Sequence, residues 1–360
     1  MKKSSYKHNN KKHLTNEGKL LTFLKIAFFI CLKSLPKYSH KKSKHTYLFP
    51  SLIACSLLKL YIKDLDWRGL EELLKSSSDM QRILGWERVP DHSTLHRAFQ
   101  KLREEQIQEL FSQVLKFFKP SGILSCDSRG LREDSASFYF SIRTKKIRRR
   151  WIKLVYLVDT NTQACLSQAV ARGPGSDAGY LEILERQNPF KAWLEIMDRG
   201  FDGKGNFRLK FTLPFRIIPP ISRGGRIKSF ERIIQRLIYV LSVWLGIYGK
   251  RWISETVNYV IKRKIGDSLR ERKEETKRKM ALLIGIVYNI YVMIRDGKAE
   301  RILFFEIRIF IFFTIIKYHC DKAAIFQKIF IIFSPKIFLF FSYIFKDFFC
   351  YIFFFFRCFS

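Results

Sequence analysis

Acidic residues are scarce in this chain. Its 360 residues carry 32 Asp and Glu against 66 Lys and Arg, a formal net charge of +34. A field of that sign repels cationic partners and draws polyanions, whose condensed counterions it releases. Nucleic acid is the partner this predicts; a ribosomal-type or membrane-surface protein is the other reading of charge alone. Paired cysteines are missing too. The seven cysteines are odd in number, scattered and without a CxxC, which argues against a disulfide framework or zinc ribbon and suits a reducing cytoplasm. His92 and His96 stand four apart but have no HExxH glutamate, so they read as surface histidines. Long apolar runs are also absent: none reaches the roughly 18 uncharged residues of a membrane span. LLTFLKIAFFICLKS near the start looks like a signal peptide, yet Lys25 and Lys33 interrupt it and no small-residue cleavage site follows. The expectation is a cytoplasmic chain that does not enter membranes.

What is present falls into four stretches. Residues 1–45 hold twelve lysines and one acid, Glu17, and read as a basic arm with an amphipathic helix, either solvated or laid along DNA. Residues 46–118 have apolar side chains at helical spacing. Within them, VPDHSTLHRAFQKL predicts a helix opened by Pro90 and Asp91 or Ser93 that buries Leu95, Phe99 and Leu102. Arg97 and Lys101 fall elsewhere on it, so it can serve as the second helix of a helix-turn-helix unit in a major groove, or as a packing helix with a solvated face. From 120 the pattern turns to strands: GILSCD, WIKLVYLVDT, CLSQAVARG, WLEIMD and RIIPPI, with a helix SDAGYLEILERQ capped by Ser176 or Asp177 between the third and fourth. Helices over about 229–296 complete an α/β core, a mixed sheet flanked by helices, and KRKMALLIGIVYNIYVMI reads as a buried helix covering the sheet. Residues 298–360 are a tail rich in Phe, Ile and Lys that holds over half of the chain's 35 phenylalanines. Its A/T-rich codons suit translation past a frameshift; a membrane-seeking or aggregating segment is the physical alternative.

Three acids stand in distinctive contexts: Asp127 in SCDSRGLR, Asp198 in IMDRGFDGKGN and Glu255 in YGKRWISETVNYVIK. The first two end predicted strands and can lie side by side in one sheet, with Glu255 supplied by a crossing helix. Carboxylates gathered from distant segments suit two hard divalent cations acting on a phosphodiester. Tyr248, Arg251, Glu255 and Lys262 are spaced for one face of a helix. There the arginine and lysine can hold phosphates and the tyrosine can stack on a base; a surface helix with i, i+4 charge pairs is the alternative. Competing acids have plainer roles: Asp177 as a helix cap, Asp159 in a hairpin, Asp202 as a turn residue steadying the Asp198 loop. Arg129 and Arg132 read as DNA contacts or solvated strand-edge arginines.

At these residues the chain resembles the DDE transposases of bacterial and archaeal insertion sequences, in the groups conventionally numbered four and five. Their signature Y-(2)-R-(3)-E-(6)-K is met without a gap by Tyr248, Arg251, Glu255 and Lys262. DSRGLR matches the context of their first aspartate and DRGFD that of the second, with Phe201 where tyrosine is commoner. The resemblance spans roughly 20–297. It implies an RNase H-like catalytic domain over 120–297 with an all-helical DNA-binding domain before it. It further implies two Mg²⁺ or Mn²⁺ ions on Asp127, Asp198 and Glu255, and DNA held by Tyr248, Arg251 and Lys262, with Arg97 and Lys101 added from the helical domain. The implied partners are double-stranded DNA, as terminal inverted repeats and target, and a second copy or a larger assembly of the chain on a prokaryotic nucleoid. The alternative is a catalytically inactive DNA-binding remnant or a domesticated regulator.

Overall fold

The computed structural model describes residues 16–40, 42, 44–133, 151–173, 175–203, 205–206, 214–221 and 230–298, all within one compact unit. The tail from 299 and the first 15 residues lie outside these. Six helices come first: α1 (Asn16–Ser34), α2 (Phe49–Tyr61), α3 (Trp67–Ser76), α4 (Ser78–Leu84), α5 (His92–Lys101) and α6 (Glu104–Leu115). Their ends follow local chemistry. Asp66 accepts from the Gly69 N–H at 2.7 Å to open α3, Ser77 from Met80 to open α4, and Asp91 from Thr94 at 2.7 Å to open α5. Gly85, at φ 69, closes α4 in the left-handed conformation. Leu95, Phe99 and Leu102 are fully buried as their spacing predicts, which leaves Arg97 and Lys101 exposed on the outer side of α5. Phe23, Leu24, Ile26 and Cys31 make α1 a core helix that packs on α2 and α6.

The sheet has six strands: β1 (Ile123–Glu133), β2 (Trp151–Asp159), β3 (Cys165–Arg172), β4 (Leu194–Met197), β5 (Phe215–Ile217) and β6 (Ser268–Leu269). Their order is β3-β2-β1-β4-β5, with β6 paired to the far end of β1. β1, β2 and β3 run antiparallel, while β4 lies parallel to β1 and β5 parallel to β4. A mixed sheet of this order, flanked by helices, is the RNase H-like arrangement. The fifth strand starts and ends earlier than RIIPPI suggests, because Pro219 and Pro220 cannot donate to a ladder. The two-residue β6 is too short to carry a period.

Helices α7 (Leu181–Gln187), α8 (Phe230–Trp244), α9 (Trp252–Lys264) and α10 (Glu274–Arg295) complete the unit. α10 is buried along most of its length, packed on β2 and β3 and on α1, α2 and α6. Asn289 fixes it to the sheet: Oδ1 accepts from the Cys165 N–H at 2.8 Å and Nδ2 donates to the Cys165 carbonyl at 2.7 Å, all fully buried. Asn289→Leu strands both backbone groups without water. We expect a loss of about 2–4 kcal/mol in urea unfolding, and a loss below about 1 kcal/mol would show that the two bonds do not hold the helix.

Candidate active site

β1 and β4 are in register with Cys126 beside Met197. The next residues, Asp127 and Asp198, therefore lie at the same level and on the same face, although only Asp198 ends its strand: β1 runs on through Asp127 to Glu133, contrary to the sequence expectation that Asp127 ends a strand. Asp127 is half-buried, and Asp198 is exposed just beyond the end of β4. Burial pushes the Asp127 carboxyl above the usual carboxylate range, and the charge of Asp198 pushes the same way. The Ser128 N–H, Asn258 and Arg251 oppose them. Asp198 precedes a 3₁₀ turn, Arg199–Phe201, where an aspartate ordinarily caps, yet its side chain makes no capping bond. Its loop is steadied by Asp202 instead, whose buried carboxylate accepts from the Ile221 N–H at 2.7 Å and pairs with Arg232 at 2.6 Å.

α9 crosses the same face and carries Glu255. Ser125 of β1 donates to the Ser254 hydroxyl at 2.9 Å, which in turn donates to the Arg251 carbonyl at 2.9 Å, setting the start of the helix on the strand. One turn on, Asn258 Nδ2 donates to Asp127 Oδ2 at 2.7 Å. Tyr156 of β2 donates its hydroxyl to Asn258 Oδ1, which fixes the amide so that its donor side faces the aspartate. Arg129 donates to the Asn258 carbonyl at 2.8 Å and to that of Gly266 at 3.3 Å. Asn258, Tyr156 and Ser125 were not singled out in the sequence, although Asn258 is three residues past Glu255 and so on the same helical face.

Three further placements differ from the sequence reading. Tyr248 and Arg251 are not on the helix with Glu255 and Lys262. They form a 3₁₀ turn, Tyr248–Arg251, and α9 begins at Trp252. This bend lets the Tyr248 hydroxyl reach the Met197 carbonyl at 3.4 Å, while the ring packs on the cluster of Leu194, Ile196 and Ile217. Burial first, and Asp198 in the same direction, push the phenol up to about 12 against the pull of Arg251. Arg129 is not a solvated strand-edge arginine: its guanidinium bonds the two carbonyls. Asp177 does not cap; Ser176 does. The Asp177 carboxylate bridges Lys153 at 2.6 Å and Ser128 at 2.9 Å beside the Asp198 loop. Arg132 pairs with Asp267 at 2.9 Å, and Asp159 closes the β2–β3 turn through Ser121 and Thr162. Lys262 is exposed on the last turn of α9; burial pushes the Asp267 carboxyl up, but its bond to Arg132, helped by the charges of Arg129 and Lys262, holds it below its usual range.

The Glu255 carboxylate is half-exposed and pairs with Arg251 at 2.5 Å. Among the described residues no three His, Cys, Asp or Glu side chains stand close enough to hold a metal ion as they are. The donor chemistry nonetheless fits a hard cation. Two carboxylates stand at one level on adjacent strands, one of them disfavoured as an anion by burial and by its neighbour, and α9, which carries Glu255, is bonded across them through Asn258.

Residues 119–290 match the family model described as transposase DDE domain. No curated protein matches the chain. Among solved structures, a piggyBac transposase synaptic complex with hairpin DNA shares a TM-score of 0.37 and 12% identity over 80% of this chain and 68% of that one, too slight a likeness to bear on any residue. No helix of the described residues is long and apolar enough to cross a membrane.

Proposed function

From the match of residues 119–290 to a transposase DDE domain, we propose that this chain is a DNA transposase that cuts DNA at the ends of its own element and joins the freed 3′-hydroxyls to a target. The observation that carries the reading is the level of Asp127 and Asp198 on adjacent parallel strands, with Asn258 pinning the helix of Glu255 across them.

Asp127, Asp198 and Glu255 would hold two Mg²⁺ or Mn²⁺ ions. Bound there, such ions activate the attacking oxygen and stabilise the leaving one. The protein supplies placement. The sheet fixes two carboxylates, Asn258 and Tyr156 orient the first, and Ser125 seats the helix that brings the third. Arg251 and Lys262 hold phosphates flanking the scissile bond, the arginine by its planar fork and the lysine as a point charge. Tyr248, packed at the strand end, stacks on or bonds the same segment. Arg97 and Lys101 on the outer side of α5 add duplex contacts from the helical region 46–118, and DNA affinity falls steeply with salt. The setting is a prokaryotic cytoplasm, on the nucleoid.

The test is a plasmid bearing the DNA that flanks this gene, incubated with purified full-length protein. With Mg²⁺ or Mn²⁺, cuts are expected at discrete positions near the element's ends, and none with EDTA. Cuts that persist in EDTA, or an intact plasmid at saturating metal, would overturn the reading.

A further inference from the structure

Helix α8 is apolar on both sides. Its inner side is accounted for: Ile238 and Tyr239 pack on Leu194, Ile196 and Ile217, and Gln235 and Ser242 are buried with them. Its outer side carries Phe230, Ile233, Leu237, Val240, Leu241 and Trp244, all exposed, with Phe230 at 73%, Leu237 at 65% and Trp244 at 81% of full accessibility. At 100° per residue these six fall within one band opposite the buried side. No charge interrupts the band: Glu231 and Arg236 lie off it, and Arg232 turns to Asp202.

Five of the six, at 230, 233, 237, 240 and 244, follow steps of three, four, three and four. That is the seam by which two helices pair at a shallow angle. The exposed part of the six side chains amounts to roughly 700 Å², above the roughly 300–600 Å² of the largest apolar patch on an ordinary monomer. Two such faces together remove about 1,400 Å² from water, within the range of stable protein interfaces. DNA is a poor occupant, since the band presents no cation in a protein of net charge +34. A second copy offers the same uncharged seam, and a two-fold axis places each copy's band against the other's.

We propose that α8 is a dimerisation helix, pairing with α8 of a second copy of this chain across a two-fold axis. The inference stands apart from the catalytic reading and survives its failure.

Sedimentation equilibrium of the full chain without DNA, at micromolar concentration, tests it. Wild type should sediment at the mass of two chains. Leu237→Glu with Trp244→Glu should sediment at the mass of one, its dissociation constant raised at least about 100-fold by two charges at the seam. Its circular dichroism and melting temperature should match wild type, because both side chains face outward. Leu237→Ile with Trp244→Phe should remain a dimer. A monomeric wild type, a dimer that survives both glutamates, or a mass that grows past two would each overturn the proposal. So would a monomeric wild type that co-sediments with phosphatidylglycerol vesicles through these residues, which would make the band a membrane contact.

Discussion

Asp127→Asn is expected to lower DNA strand cleavage about a thousandfold or more, on the order of 4 kcal/mol of transition-state stabilisation, with DNA binding within about twofold of wild type. The substitution keeps size and shape. An asparagine oxygen can still accept the bond that Asn258 donates at 2.7 Å, so the helix stays tied to the strand, at the cost of the bond from the Ser128 N–H. What is lost is the anion. A cation held by Asp127 and Asp198 gains half its protein charge from that carboxylate, and a neutral amide oxygen is a far weaker ligand for a hard ion. Nicking of the flanking-DNA plasmid and gel-shift titration, run on the same preparations, separate the two effects. Cleavage within tenfold of wild type would remove Asp127 from the chemistry. Loss of binding in step with cleavage would mean that the residue serves the fold.

Asn258→Leu is the second large effect. It removes the donor to Asp127 and leaves the Tyr156 hydroxyl, itself almost wholly buried and with its pKa raised by that burial, without its acceptor. Partners that orient a ligating side chain commonly matter 10–100-fold for the ion it holds. We therefore expect the Mn²⁺ concentration for half-occupancy to rise by about that factor, read directly by electron paramagnetic resonance of free Mn²⁺ rather than by turnover. Tyr156→Phe should move it in the same direction by a smaller amount, because the amide keeps its donor but loses the contact that sets its orientation. An unchanged Mn²⁺ titration in Asn258→Leu, with the variant folded, would reduce the network to a strut between helix and sheet.

Asp127 and Asp198 stood out because each ends an apolar run that reads as a strand; the run stops at Asp127 while β1 itself continues to Glu133, since the polar residues after it still pair with β2. The helical face of α5 was legible for a similar reason: Leu95, Phe99 and Leu102 repeat at the helical period and an aspartate precedes them. The turn at Tyr248–Arg251 was not. Its residues keep helical spacing, and only packing against β4 shows that the last step before Trp252 is tightened. Nor could spacing reveal Arg129 bound to the two carbonyls, since its partners are backbone atoms 129 and 137 residues away. Asn258 lay in plain view within the signature, but an amide has no charge to draw attention. Its role depends on Tyr156, which the sheet brings to it from 102 residues away.

The pairing of Arg251 with Glu255 ties two ligands together. In this state the arginine that would hold a phosphate and the carboxylate that would hold a cation satisfy each other. A phosphate that takes Arg251 releases Glu255, and a cation that takes Glu255 releases Arg251. Each ligand thus removes the competitor of the other, so DNA and divalent metal must raise one another's affinity by the same factor. On the roles proposed above, DNA would free the third carboxylate for the ions, and the nucleic acid would complete the centre that cuts it.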